Sequence, residues 1–179
     1  MQQRETVLLF GLAIAAGLWW YSRTQQGAAM VETGSTVALD FVDVTASRVG
    51  NYFSSRGYRN NNPGNLRYLQ ANAWNGQVSN DGGYAVYDSP ENGTRALGHQ
   101  LMKYARAGKN TVSSIIYTWA PPAENNAHAY VVDVAQALGV DPDQVIDVSA
   151  RLADLAQAIA RHENGYVDGS YNWQWVYLT

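Results

Sequence analysis

The sequence predicts a mainly α-helical (α+β) domain with a small β-hairpin, preceded by a transmembrane helix. Three observations predict it. Apolar side chains recur at helical spacing in stretches that run through Leu101, Ile116, Val134 and Leu155. Two short pieces, Leu66 to Tyr68 and Tyr84 to Tyr87, are bounded by Asn, Pro and Gly and read as strands. One uninterrupted apolar run, Thr6 to Ser22, stands ahead of them all.

That run is bracketed by Arg4-Glu5 and Arg23. At about 1.5 Å per residue it just reaches the length that spans a bilayer core. Trp19, Trp20 and Tyr21 close it as an interfacial aromatic belt would. A signal peptide cleaved near Gly27-Ala28-Ala29 and a buried soluble helix are the rival readings. One arginine on either flank gives no bias in orientation. Residues 23–39, rich in Gln, Gly, Ala, Ser and Thr, read as a flexible tether. Ala38, Val42, Ala46, Val49 and Phe53 fall at helical spacing and predict an amphipathic lead-in helix within residues 40–55, with Gly57 ending the segment. A folded domain over residues 56–165 and a tail over 166–179 complete the chain.

Within the domain, Gly82-Gly83 precede the second strand, and Trp74 to Asp81 reads as an irregular connection. Asp88-Ser89-Pro90-Glu91 is a helix start: a Ser cap, Pro at the first position, an acid in the first turn. Leu97, Leu101, Tyr104 and Ala105 give that helix its buried face, and Gly108 stops it. Asn110 or Thr111 caps a shorter helix through Ile115, Ile116 and Trp119, broken by Pro121-Pro122. Asn125 or Asn126 starts the next, with Tyr130, Val134 and Leu138 inward and Gly139 at its end. Ser149 caps the last helix, whose Leu152, Leu155, Ala156 and Ile159 face the core and which Gly165 closes.

The 179 residues are 46% hydrophobic and 15% charged, enough apolar material for a core with little surface charge. A net charge of −3 argues against a nucleic-acid binder. The lack of cysteine removes disulfides, thiolate zinc sites and a cysteine nucleophile. His99, His128 and His162 lie far apart without metal-ligand spacing, so neither a metal nor a cofactor is expected.

The most distinctive stretch is Arg59-Asn60-Asn61-Asn62-Pro63-Gly64-Asn65-Leu66-Arg67-Tyr68. Asn tolerates left-handed backbone and bonds its own main chain, so Asn60, Asn61 and Asn62 predict a tightly wound loop. A surface turn is the plain reading. Amides at this density, followed by Trp74-Asn75-Gly76, also suit a cleft for sugar hydroxyl and acetamido groups. Asn61, Asn62, Asn65, Trp74, Tyr84 and Tyr130 are the substrate-binding candidates. In the tail, every odd position from Tyr171 to Tyr177 is aromatic. Period two places four rings on one face of a strand, which either covers the domain edge or docks on a partner or another copy.

Five stretches in one order carry a family resemblance. They are Arg59 to Arg67, Trp74-Asn75-Gly76-Gln77, Tyr84 to Glu91, Trp119-Ala120-Pro121-Pro122-Ala123-Glu124-Asn125, and Ile159-Ala160-Arg161-His162-Glu163-Asn164-Gly165. Through them residues 56–165 resemble phage and prophage virion structural proteins considered lysozyme-like or transglycosylase-like. The resemblance implies a phage origin and, with the apolar run, a virion that contains a membrane. More distantly, the domain is similar to flagellar-type N-acetylglucosaminidases. Those place a catalytic Glu at a helix end, ahead of an Asn-Leu loop and a segment like Tyr-Asp-Ser-Pro-Glu. Here Asn65-Leu66 and Tyr87 to Glu91 come first and the Glu163 helix last; upstream, the tether and lead-in helix offer only Glu32, Asp40 and Asp43. The likeness therefore implies a circularly permuted lysozyme-like domain with Glu163 in the acid's place.

Cleaving a glycosidic bond needs a carboxylic acid that donates to the leaving oxygen. A Glu at a helix C-terminus meets the negative end of the helix dipole, and partial burial further discourages its charged form. Four residues after Ile159, Glu163 projects near the rim of the buried side. The plain alternative is a solvated residue in the last turn. For a second carboxylate, Asp88, Glu91 and Glu124 are explained as helix-start residues, and Asp81 sits in the Gly-rich connection. A substrate acetamido group can replace a protein nucleophile, so lysozyme and lytic transglycosylase both stay open. Two functions follow. One is a membrane-anchored virion muramidase that cleaves host peptidoglycan, held in a lipid membrane through residues 6–22. The other is a non-catalytic virion protein that links the viral membrane to capsid or vertex proteins through residues 171–177.

Overall fold

The computed structural model divides the chain into two units, Met1–Val44 and Thr45–Thr179. The structure describes residues 47–48, 50–72, 74–121, 126–165, 167 and 169–178, all in the second unit. The apolar run 6–22 and the tether lie outside them. Among the described residues no helix is long and apolar enough to cross a membrane.

Residues 47–48 and 50–54 are helical and lead to a four-residue helix, α1 (Arg56–Arg59). The inward face differs from the expected one. Tyr52 is fully buried, whereas Phe53 is 45% exposed and meets the Tyr58 ring edge-on. Ser55, whose extended backbone ends this helix and whose side chain caps α1, turns the chain so that Tyr58 packs on the Tyr52 ring as well as on Phe53, and this return, not helical spacing alone, sets which ring is buried. Gly57 lies inside α1 rather than ending the segment.

The sheet has two antiparallel strands, β1 (Gln77–Asp81) and β2 (Tyr84–Tyr87). The expected pairing of Leu66 to Tyr68 with β2 shrinks to one bridge, Arg67 to Tyr84, and the supposed irregular connection supplies β1. Gly82 and Gly83 are the cause. Both have positive φ, 58° and 91°, which is what a two-residue turn needs to close neighbouring strands directly. The ladder runs from Asp81↔Tyr84 to Gln77↔Tyr87, with an irregularity at the exposed Val78.

Four longer helices follow. In α2 (Pro90–Arg106) the Ser89 side chain accepts the Asn92 N–H, and Pro90 sits in the first turn. Thr111 and Ser114 form a reciprocal capping box on α3 (Val112–Trp119). Asn126 caps α4 (Ala127–Leu138), which ends at left-handed Gly139. The last, α5 (Leu152–Asn164), is closed by left-handed Gly165. Ser149 does not cap it. Asp147 Oδ1 accepts the N–H groups of Ser149 and Ala150, so a separate turn forms there, and α5 begins only after Arg151, which supplies no side-chain cap.

Leu97, Leu101, Ile115, Ile116, Val134, Leu155 and Ile159 are completely buried in one cluster formed by the four helices. Each such side chain contributes on the order of 1.5–3 kcal/mol. A smaller cluster of Ala85, Tyr87 and Ala96 seats the hairpin on α2, and Leu66 packs against both clusters.

The tail is not a strand. Trp173–Tyr177 is a 3-10 helix whose cap, Asn172, accepts the Gln174 N–H. At three residues per turn, alternate rings no longer share a face. Tyr171 is buried, Tyr177 is 46% exposed, and Val176 enters the core. The local cap wins over the period-two pattern because it satisfies main-chain donors at once. Gly98 of α2 lets the tail approach, for a Cβ there would stand 2.2 Å from the Val176 carbonyl oxygen. Gly98→Ala should therefore cost about 1–3 kcal/mol, the range for overpacking. Chemical denaturation reads this as a lower midpoint, and an unchanged midpoint would separate the tail from α2.

Candidate functional site

The asparagine loop is held by its own amides. Asn62 is completely buried: Nδ2 donates to the carbonyls of Leu66 (3.0 Å) and Ala85 (2.8 Å), and Oδ1 accepts the Leu66 N–H at 2.8 Å. Asn61, at φ 49°, donates to the Tyr87 carbonyl at 2.9 Å. Asn60 donates at 3.0 Å to Asp81, which Arg56 approaches at 3.9 Å. Asn61 and Asn62, expected to bind substrate, do not line the groove described next, and neither does Asp81. A loop tucked under a hairpin must satisfy its main-chain groups from within, and these amides meet that need.

The groove, about 700 Å³, is walled by the loop exit, the hairpin, α3, α4 and the end of α5. It brings together Asn65, Trp74, Tyr84, Tyr130 and Glu163 of the sequence candidates, and adds Trp119. Asn65, at φ 48°, donates from Nδ2 to Glu163 Oε2 at 3.0 Å. The other oxygen, Oε1, accepts from Tyr130 Oη (2.9 Å) and from the Trp119 indole N–H (3.3 Å). Donors from the loop, α3 and α4 thus converge on one carboxylate, the only one among the described lining residues.

The next residue fixes its position. Asn164 Nδ2 donates to the carbonyls of Pro63 (2.9 Å) and Ala160 (2.8 Å), while Oδ1 accepts from Ser55 Oγ (3.0 Å). One buried side chain therefore ties the end of α5 to the asparagine loop and to the start of α1. At the wall residue Tyr84, the guanidinium groups of Arg67, also in the wall, and of Arg56, outside it, lie 4.6 and 4.1 Å from the ring centroid. His162 stacks on Tyr130 with centroids 3.6 Å apart, and its Nδ1 is 2.8 Å from Asp133. Burial, then the Glu163 charge and the bond to it, push the Tyr130 hydroxyl well above the ordinary phenol range, so it remains a donor.

In the sequence Trp119 reads as a helix residue and opens one of the resemblance stretches, without being marked as a groove residue. Its signal is its place just ahead of Pro121, where a helix stops and its last ring faces the loops. Asn72 and Gln100 also line the groove, and nothing in their spacing marks them. Asn65 keeps one anomaly: its Oδ1 is buried without a hydrogen-bond partner among the described residues.

Fold and site together define a mainly helical domain whose hairpin and asparagine loop wall one aromatic, amide-lined groove around a carboxylate. No family model matches the sequence. Over 117 residues the chain is 31% identical to Protein P5 of Pseudoalteromonas phage PM2, a span covering 63% of this chain and 72% of that protein. The chain belongs to the family of this bacteriophage protein.

Two outcomes test the architecture. Asn62→Asp keeps the shape and the acceptor but sets a carboxylate against the carbonyls of Leu66 and Ala85. Urea denaturation should show a loss of about 3–5 kcal/mol, as for an uncompensated buried charge. Asn72→Ala, partly exposed on the groove wall, should stay within about 0.5 kcal/mol. The buried tyrosines set a pH dependence. Burial raises Tyr87 and Tyr130 above the ordinary value of 10.0, so unfolded tyrosines release protons that the folded ones keep. Their contribution is complete below about pH 10 and is lost as pH rises beyond it. Stability measured above that pH should fall, and less steeply in Tyr130→Phe.

Proposed function

We propose that the chain is a component of a phage virion whose groove holds glycan strands of the host cell wall, with Glu163 exchanging the proton that cleavage requires. The observation that carries this reading is the convergence of Asn65, Trp119 and Tyr130 on Glu163 inside a groove of rings and amides. Rings offer flat apolar faces to sugar rings, and amides both donate to and accept from hydroxyl and acetamido groups. The volume is within the range of small-ligand clefts. Membership of the Protein P5 family supports the phage origin, and by itself it supports a non-catalytic virion role better than an enzymatic one, so the catalytic reading rests on the groove alone.

The Asn65–Glu163 pair suits a proton that comes and goes. With the carboxylate ionised, Nδ2 of Asn65 donates to Oε2. With Oε2 protonated, the amide turned end for end presents Oδ1 to that proton. With no second carboxylate among the described lining residues, the substrate's own acetamido group serves as nucleophile in this reading. The permuted lysozyme-like comparison and a lipid anchor at residues 6–22 belong to the same proposal.

The test uses the full chain in detergent with purified peptidoglycan. Wild type should sediment with the polymer and release soluble muropeptides. Glu163→Gln should still sediment and release at least about 100-fold less, the usual loss when a general acid is removed. It should also unfold within about 0.5 kcal/mol of wild type, because Gln can donate to the turned Asn65 amide. Release by the variant at the wild-type rate would end the proton-transfer role. Sedimentation without release by either protein would leave the non-catalytic virion role, and no sedimentation would remove the glycan reading.

A further inference from the structure

A second concavity, about 320 Å³, adjoins the groove and shares Asn72 and Trp74 with it. Arg95, His99, Lys103 and Arg106 line its other side. Their spacing along α2 puts all four on one face of the helix. No carboxylate lines this concavity among the described residues. Among the described residues the ion pairs involve other side chains, and Arg95 donates to the Asn92 amide oxygen, while the Asn92 NH₂ donates to Asp88, itself outside the concavity. Glu91, a turn before Arg95, lies outside the concavity. Burial first, then the charges of Arg95 and Arg106, push His99 below its ordinary value. The whole chain carries a net charge of −3, so this cluster does not reflect a generally basic surface. Like charges one turn apart repel, and an anion seated among them relieves that repulsion.

We propose that this concavity is an anion subsite of the groove, receiving a carboxylate carried on a side branch of the bound glycan strand. The inference rests on the glycan reading of the groove and narrows its substrate class to an anionic glycan. Arg95 and Arg106 present planar forks that match a carboxylate. Trp74 is the shared wall: it lines both spaces and meets the His99 ring at 6.0 Å and 76°. A sugar stacked on Trp74 from the groove has its substituents directed along that wall. A lipid surface would instead call for a flat or convex basic face, and these cations line a recess.

Tryptophan-fluorescence titration tests the subsite with two probes: chitotetraose, which is neutral, and a tetrasaccharide of alternating N-acetylglucosamine and N-acetylmuramic acid, which carries carboxylates. Wild type should bind the muramic sugar roughly tenfold more tightly, the scale of one charge-assisted contact. That preference should shrink as salt rises. Arg95→Gln with Lys103→Gln should erase the preference and keep the chitotetraose affinity. Lys103→Gln with Arg106→Gln, both at exposed positions, should do the same and guards against a folding artefact. Equal wild-type affinity for the two sugars, or a preference that survives both pairs of substitutions, overturns the subsite and leaves the groove standing. Failure of wild type to bind either sugar removes the groove reading and the subsite with it. Binding to phosphatidylglycerol vesicles that the substitutions abolish, without any sugar preference, overturns the subsite in favour of a lipid surface.

Discussion

The buried amide of Asn62 is the constraint on which the geometry of the groove depends. It bonds two main-chain segments at once, one at Leu66 and one at Ala85. An amide left unmet in that position would cost a few kcal/mol, so the loop has few alternative conformations. With the loop fixed, main-chain bonds run from Ala85 to Leu66, from Tyr68 to Gly83 and from Tyr87 to Asn60, at 2.8–2.9 Å. The hairpin thereby gains a third edge that is not a regular strand. Gly93 permits the whole assembly to rest on α2, since a Cβ there would come within 1.6 Å of the Asn61 carbonyl oxygen.

Asn164 carries the constraint to the far end of the chain. It joins α5 to Pro63, so the loop and the helix that bears Glu163 are positioned by one side chain. Neighbouring residues divide the labour, with Asn164 buried among main-chain groups and Glu163 turned to the groove. Tyr130 and Trp119 then meet the carboxylate from helices whose own places are set by the apolar core. The site therefore inherits its rigidity from two buried asparagines and one hydrophobic cluster.

What the sequence makes legible is what acts within a turn. Ser89, Thr111, Asn126 and Gly139 punctuate helices through bonds to residues three or four positions away, Gly165 does so by its left-handed backbone, and the periodic Leu and Ile between them specify the buried faces. The errors arise where two local rules compete. Gly82-Gly83 reads as the preface to a strand and is the turn itself. The alternating rings of the tail suggest a strand until Asn172 caps a 3-10 turn. The turn at Ser55 brings Tyr58 back onto Tyr52, which is buried in place of the expected Phe53. The amides of the loop are legible as amides, but not their partners. Asn62 bonds a carbonyl 23 residues away, and Glu163 meets groups 33, 44 and 98 residues distant. Spacing places Glu163 on a helix face and cannot name what gathers around it.

Two asparagines four positions apart separate scaffold from site. Asn61 and Asn65 both adopt left-handed backbone, at φ 49° and 48°, a conformation Asn accepts at small cost. Asn61 uses its amide to hold β2, and its conformation is explained by folding alone. Asn65 has the same backbone, yet half of its amide is buried without a partner among the described residues and the other half is aimed at a carboxylate. A folding argument would favour a side chain that satisfied both ends, or an apolar one that needed neither. Departures of this kind persist where another group completes them. At Asn65 the group within reach is a proton on Glu163: with the amide turned end for end, Oδ1 accepts it, a contact missing among the described residues as they stand.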